Sequence, residues 1–96
     1  MIYNFEWNPN KAASNQAKHK VGFEEAATVF RDPEAITIFD PDHSETEERW
    51  LTIGISKNRR LLVVSHTFQK LDQETTRIRI ISSRKTTKIE SKQYGD

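Results

Sequence analysis

Arg77-Ile78-Arg79-Ile80-Ile81-Ser82-Ser83-Arg84-Lys85 decides how the rest of this chain is read. Alternation makes it a β-strand with Ile78 and Ile80 on one face and Arg77 and Arg79 on the other. Ser82 or Ser83 then caps a helix, which would place Arg84 and Lys85 in its first turn. Positive charge at that end opposes the helix dipole, at a cost of about 0.3–1 kcal/mol per group. A helix start flanked by arginines suits an anion such as a phosphate; an ordinary solvated basic face is the alternative.

Working outward, charge is divided between the halves. Residues 1–48 hold four basic and ten acidic side chains, net −6, and residues 49–96 hold eleven basic and four acidic, net +7. A basic half points to a nucleic-acid partner, unless the two halves neutralise each other in the fold. The 96 residues suit one domain, 1–96, and a hydrophobic fraction of 34% predicts a small core that a partner protein would help to stabilise. With no cysteine, disulfides, thiolate catalysis and zinc–thiolate sites are excluded. No apolar run reaches membrane-spanning length and the N-terminus lacks signal-peptide character, so a cytoplasmic protein without membrane contact is expected.

Preceding the central stretch, Ile2 to Trp7 reads as a strand with Tyr3, Phe5 and Trp7 on one face. Asn8-Pro9 starts a helix to about Lys20, with Ala12, Ala13 and Ala17 apolar and Lys11, Asn15, Lys18 and His19 polar. Gly22 opens a second helix whose Phe23, Ala26, Ala27 and Phe30 have core spacing, and Asp32-Pro33 stops it. Strands follow over residues 35–39, 50–56, 60–68 and 75–82, joined by polar turns. A last helix runs to about Tyr94, with Ile89 and Tyr94 as its apolar contacts. The order β-α-α-β-β-β-β-α predicts an α+β fold, an antiparallel sheet with helices packed on one face.

Several blocks, in order, resemble BrnT-type toxins: residues 5–12 (Phe5-Glu6-Trp7-Asn8-Pro9-Asn10-Lys11-Ala12), then Asn15 with Lys18-His19, then Val21 to Ala26. Asp42-His43-Ser44 with Glu47-Glu48-Arg49-Trp50 and Ile53-Gly54 is similar to the family's middle motif. Arg79 to Arg84 with Thr87, Glu90 and Tyr94 is similar to its closing one. Lys20 departs from the family's usual glycine, Gly22 from a serine cap, and Ser83 and Thr87 from alanines. The resemblance implies a RelE-like fold and a ribonuclease toxin of a type II toxin–antitoxin pair. It also implies a small DNA-binding, BrnA-like antitoxin that neutralises the toxin and represses the shared operon, with a homodimer inside that complex as a further option.

RNA cleavage without metal or cofactor needs a base, cations for the phosphorane charge, and an acid for the leaving oxygen. His43, in a polar loop, and Glu47 are the candidates for proton transfer. Glu47 and Arg49 share a strand-edge face, as an active pair or a surface salt bridge. Arg79 and Arg84 are the best phosphate ligands, with Arg77 and Lys85 beside them. Lys18 and His19 close the first helix, as RNA contacts or as partners of its dipole. His66, on an apolar row, reads as a core histidine rather than a catalyst. The acidic run Asp40 to Glu48 matches no metal-site spacing. The competing functions are a toxin of the same fold that nicks DNA or binds a topoisomerase, and a binding module without chemistry. The C-terminal helix is the expected antitoxin dock.

Overall fold

The computed structural model describes residues 1–95. Its spine is strand β6, Thr75–Lys85. Strand β4 (Leu61–His66) pairs antiparallel with one side of it, and β3 (Trp50–Ile55) and β2 (Ile36–Phe39) extend the meander outward. Strand β1 (Ile2–Glu6) lies on the other side, parallel, in register from Ile2 opposite Thr75 to Glu6 opposite Arg79. The sheet order is β1-β6-β4-β3-β2, and a two-residue strand β5, Gln69–Lys70, also pairs with β6. The meander is as expected. The parallel pair corrects the expectation of a wholly antiparallel sheet: the first and last strands are joined through nearly the whole chain, long enough for any crossover.

β6 also corrects the reading of its own C-terminal half. It does not break at Ser82 or Ser83, because Val63 pairs with Arg84 and Leu62 with Lys85. Arg84 and Lys85 are therefore strand residues, not the first turn of a helix. Helix α3, Lys88–Tyr94, starts later, where the Thr87 hydroxyl and the Glu90 carboxylate each accept the other's backbone N–H in a capping box. A bulge separates the two parts of β6: Ser65 faces Ser82 while His66 faces Ile80, leaving Ile81 over. Burial shifts phase with it. Thr76, Ile78 and Ile80 are buried, then Ser83. Without the extra residue, Arg84 would point into the core; with it, Arg77, Arg79 and Arg84 share one face.

The main core forms on the other face, under helices α1 (Pro9–His19) and α2 (Phe23–Thr28) and a 3-10 turn, Val29–Arg31. Val21, Phe23, Ala26, Val29, Leu62, Val64, Ile78 and Ile80 make it up, with Phe5, Trp7, Ala12, Ala27 and Phe30 packed around them. Gly54 is required here: a Cβ would meet Val29 Cγ1 at 2.8 Å. The second face also has a cover. Ile53 and Val63 are buried outside that cluster, and Arg84, opposite Val63, pairs with Glu90 of α3. The expectation that all helices share one face fails for α3. Tyr94 anchors its end by donating to Asp32 Oδ2, whereas Ile89, expected as a contact, is 73% exposed.

Two polar side chains are buried where they hold elements together. Asn15, expected on the outer face of α1, is 6% exposed. It donates to Val21 O and Ser83 O, both at 2.9 Å, and accepts from Ser83 N at 3.1 Å. β1 reaches only as far as Arg79 along β6, so beyond it Asn15 supplies the amide that a neighbouring strand would otherwise provide. Glu25 is held by Arg60 through both carboxylate oxygens and accepts from Ser56 Oγ at 2.7 Å. The Arg60 guanidinium lowers the Glu25 pKa to about 2.

Candidate ribonuclease site

The segment before β3 builds the first part of the site. Pro41–His43 forms a 3-10 turn, and the Ser44 hydroxyl ties it down by donating to Asp40 O and accepting from Arg49 N. His43 stands out from this turn with a 66% exposed side chain and its Nδ1 2.9 Å from Asp40 Oδ2. A carboxylate only accepts, so Nδ1 carries a proton, and whenever the ring is neutral the lone pair is on Nε2. His43 and Arg49, with Asp42, Glu45 and Thr46, line a cleft of about 270 Å³.

Glu47 joins this cleft to the sheet. Its Oε1 accepts from Arg79 Nη2 and lies 3.6 Å from Arg49 Nη2. Two guanidiniums, one from β6 and one from the entry to β3, thus converge on a single anionic oxygen. Arg49 Nε is buried and has no acceptor, so part of that guanidinium's donor capacity is unused.

Arg79 also opens a second feature. With Asn8, Lys11, Ile80 and Ile81 it lines a hollow of about 210 Å³. Lys11 and Ile81 continue into the next hollow, about 230 Å³, together with Ser14, Asn15, Lys18, His19 and Ser82. Sharing Lys11 and Ile81, the two hollows lie next to each other along the seam between α1 and β6, together called the trough below, and no carboxylate is among their lining residues. It exists because α1 crosses β6 where β1 has ended.

Of the expected site residues, the structure connects His43, Arg49, Glu47 and Arg79 in sequence, and brings Lys18 and His19 into the trough that Arg79 opens. Arg77 is directed elsewhere, to Glu6 at 3.7 Å and Gln69 at 3.3 Å. Arg84 forks onto both oxygens of Glu90, at 2.7 and 2.9 Å, and holds the Glu90 pKa down to about 2. Lys85 lies exposed at the end of β6. Neither lines the cleft or the trough. Lys11 and Ser14 were not anticipated, although Lys11, Ser14 and Lys18 follow the i, i+3, i+7 spacing of one helix face. His66 is the core residue expected: its Nδ1–H donates to Thr67 O, its Nε2 accepts from Thr52, and burial lowers its pKa. Among the described residues no group of three or more His, Asp or Glu side chains is arranged to hold a metal ion.

A model of the BrnT family, described as the ribonuclease toxin of a type II toxin-antitoxin system, matches residues 7–90. The chain belongs to that family. It is a BrnT-family ribonuclease toxin, and membership implies a cognate antitoxin as partner. The crystal structure of the Brucella abortus ribonuclease toxin BrnT superposes with a TM-score of 0.57 at 19% identity, covering 92% of this chain and all of that one. That likeness shows the shared α+β fold. Among curated proteins, none matches the chain. Among the described residues, no helix of this BrnT-family chain is long and apolar enough to cross a membrane.

Proposed function

We propose that this toxin cleaves RNA at the junction of the His43 cleft and the Arg79 trough, without a metal ion, and thereby inhibits translation. The convergence of Arg49 and Arg79 on Glu47 Oε1 carries this reading. Two guanidiniums placed about one anionic oxygen are arranged to hold a phosphate oxygen and, better, the extra charge of a phosphorane. Glu47 keeps them in place in the free enzyme and gives them up when the scissile phosphate arrives.

His43 acts as the base. Its Nε2 lone pair takes the proton of the 2′-hydroxyl, whose oxygen attacks phosphorus. The bond to the 5′-oxygen breaks, and that oxygen takes a proton from a water, which is replenished by the proton that His43 releases, so the base returns to its starting state. The products are a 2′,3′-cyclic phosphate and a 5′-hydroxyl. Lys18 and His19 contact RNA further along the trough. The antitoxin, BrnA-like and DNA-binding, docks on α3, where the exposed Ile89 offers an apolar contact; a toxin homodimer within the complex and a cytoplasmic site of action complete this reading, on a single-domain chain.

The test is cleavage of a defined RNA by purified protein in EDTA, with end-group analysis. The expected products are cyclic phosphate ends, lost in Arg79→Ala. Nicking of supercoiled plasmid with intact RNA, or cleavage that stops on chelation, would overturn the assignment.

A further inference from the structure

We infer that Asp40 is a positioning residue of this site: its carboxylate keeps a proton on Nδ1 of His43 and so reserves Nε2 for the substrate. This rests on the ribonuclease reading above, with His43 as base, and adds the group that keeps that base ready.

The main chain of Asp40 is fixed at both ends. Its N–H donates to Arg49 O at 2.9 Å. Its carbonyl accepts from the Ser44 hydroxyl at 2.5 Å, and that hydroxyl accepts from Arg49 N–H at 3.0 Å. Asp40 is thereby clamped to Arg49, whose guanidinium is directed at Glu47. In the tight 3-10 turn Pro41–His43, side chains three residues apart lie one above the other, which brings the His43 ring to Asp40.

The carboxylate has no structural task that accounts for it. Asp40 stands at the N-cap of that turn, where an aspartate commonly accepts from backbone N–H groups, yet its side chain caps nothing. It is 12% exposed, and among the described residues its carboxylate bonds to His43 alone. Glu25 and Glu90, at similar depth, each face an arginine. A sheltered carboxylate without such a partner costs stability. Its partner here is a ring 66% exposed, which anchors no core.

The arrangement suits proton transfer. With Nδ1–H held, the lone pair of the neutral ring is on Nε2, the atom that takes the 2′-hydroxyl proton. The Nδ1 proton stays on the ring, and Asp40 gains none. As Nε2 is protonated, the positive charge forms on a ring whose Nδ1 lies 2.9 Å from the carboxylate. Without Asp40 the exposed ring has other rotamers open to it, and its lone pair is shared between two nitrogens.

The experiment reads the tautomer directly, by long-range proton–nitrogen NMR correlation of histidine-labelled protein at about pH 8, where an ordinary histidine is neutral. His43 is assigned by the signal lost in His43→Ala. It is expected as the Nδ1–H form in wild type and as a mixture or the Nε2–H form in Asp40→Ala. Asp40→Asn keeps the shape and offers either a donor or an acceptor, so a mixture is expected there. Buried His66, held by Thr67 O, should stay Nδ1–H throughout and so reports an intact fold. In cleavage, both variants should lower kcat by about 10–100-fold, part of the 10²–10⁴ that a general base supplies, with KM little changed. An unchanged tautomer in Asp40→Ala, or wild-type kcat in both variants, would overturn the inference. Cleavage that survives in His43→Ala overturns the base itself; loss there with wild-type kcat in Asp40→Ala and Asp40→Asn overturns the positioning alone.

Discussion

Asn15 grips the main chain of Ser83 by both of its groups, donating to the carbonyl at 2.9 Å and accepting from the N–H at 3.1 Å. This contact lays α1 along β6 and so makes the wall of the trough. Asn15→Leu would leave Ser83 N–H, Ser83 C=O and Val21 C=O unpaired in a buried place. At about 1–3 kcal/mol per stranded group, with partial relaxation, a loss of about 3 kcal/mol is expected. Urea unfolding would show a lower midpoint. An unchanged midpoint would mean that water or a backbone shift replaces the side chain.

Lys20 ends α1 in the left-handed region, at φ 59°. A side chain there is strained, and glycine is the residue that adopts this conformation without cost. Lys20→Gly should stabilise the fold by about 0.5–1 kcal/mol, because the Lys20 carbonyl that accepts from Arg60 is kept. Thermal unfolding of the pair of proteins checks the sign.

Acid should destabilise the protein in two stages. Burial depresses the His66 pKa in the fold, so its contribution is complete above the unfolded value near 6.5 and declines as pH falls below it. Glu25 and Glu90 titrate at about 2 in the fold against 4.5 unfolded; their ion pairs contribute fully above 4.5 and are lost between there and 2. Unfolding free energy measured against pH should therefore fall below 6.5 and again below 4.5. Glu25→Gln should shrink the second stage to the share that Glu90 carries and leave the first unchanged.

Arg79 and Glu47 are expected to move activity in different ways. Arg79→Ala should reduce cleavage by about 10²–10³-fold, the effect of losing one donor to a developing charge. Arg79→Lys should recover only part, since an ammonium cannot fork onto two oxygens. Glu47→Gln frees both guanidiniums from a partly exposed ion pair, worth up to about 1 kcal/mol, and should tighten binding of uncleavable RNA by about two- to fivefold. A fall in cleavage of 10²-fold or more with unchanged binding would instead make Glu47 the proton-transfer group.

Much of the fold is legible because short-range patterns carry it. The Phe23, Ala26, Ala27 and Phe30 spacing marks a buried helix face, and four short strands with polar turns mark a meander. At the site, His43, Glu47, Arg49 and Arg79 stand out by residue type, and they connect in space. Arg84 and Lys85 do not join them. Ser82-Ser83 and Thr87 compete as helix caps, and local sequence does not rank them. β4 and Asn15 pair the backbone around Ser83, which leaves Thr87, with Glu90 three residues on, to start α3.

By itself the sequence determined what this protein is made to hold: a basic half rich in guanidiniums, an exposed histidine turn, and a helix ending in cations. Those properties belong to residue types and to spacings within single elements. Which arginines face an open groove was decided only by the tertiary structure. One bulged residue, Ile81, sets the face on which Arg84 emerges, and the end of β1 at Glu6 opens the gap that α1 crosses. Both depend on pairing between residues far apart in the chain, where hydrogen-bond register, not local preference, fixes direction.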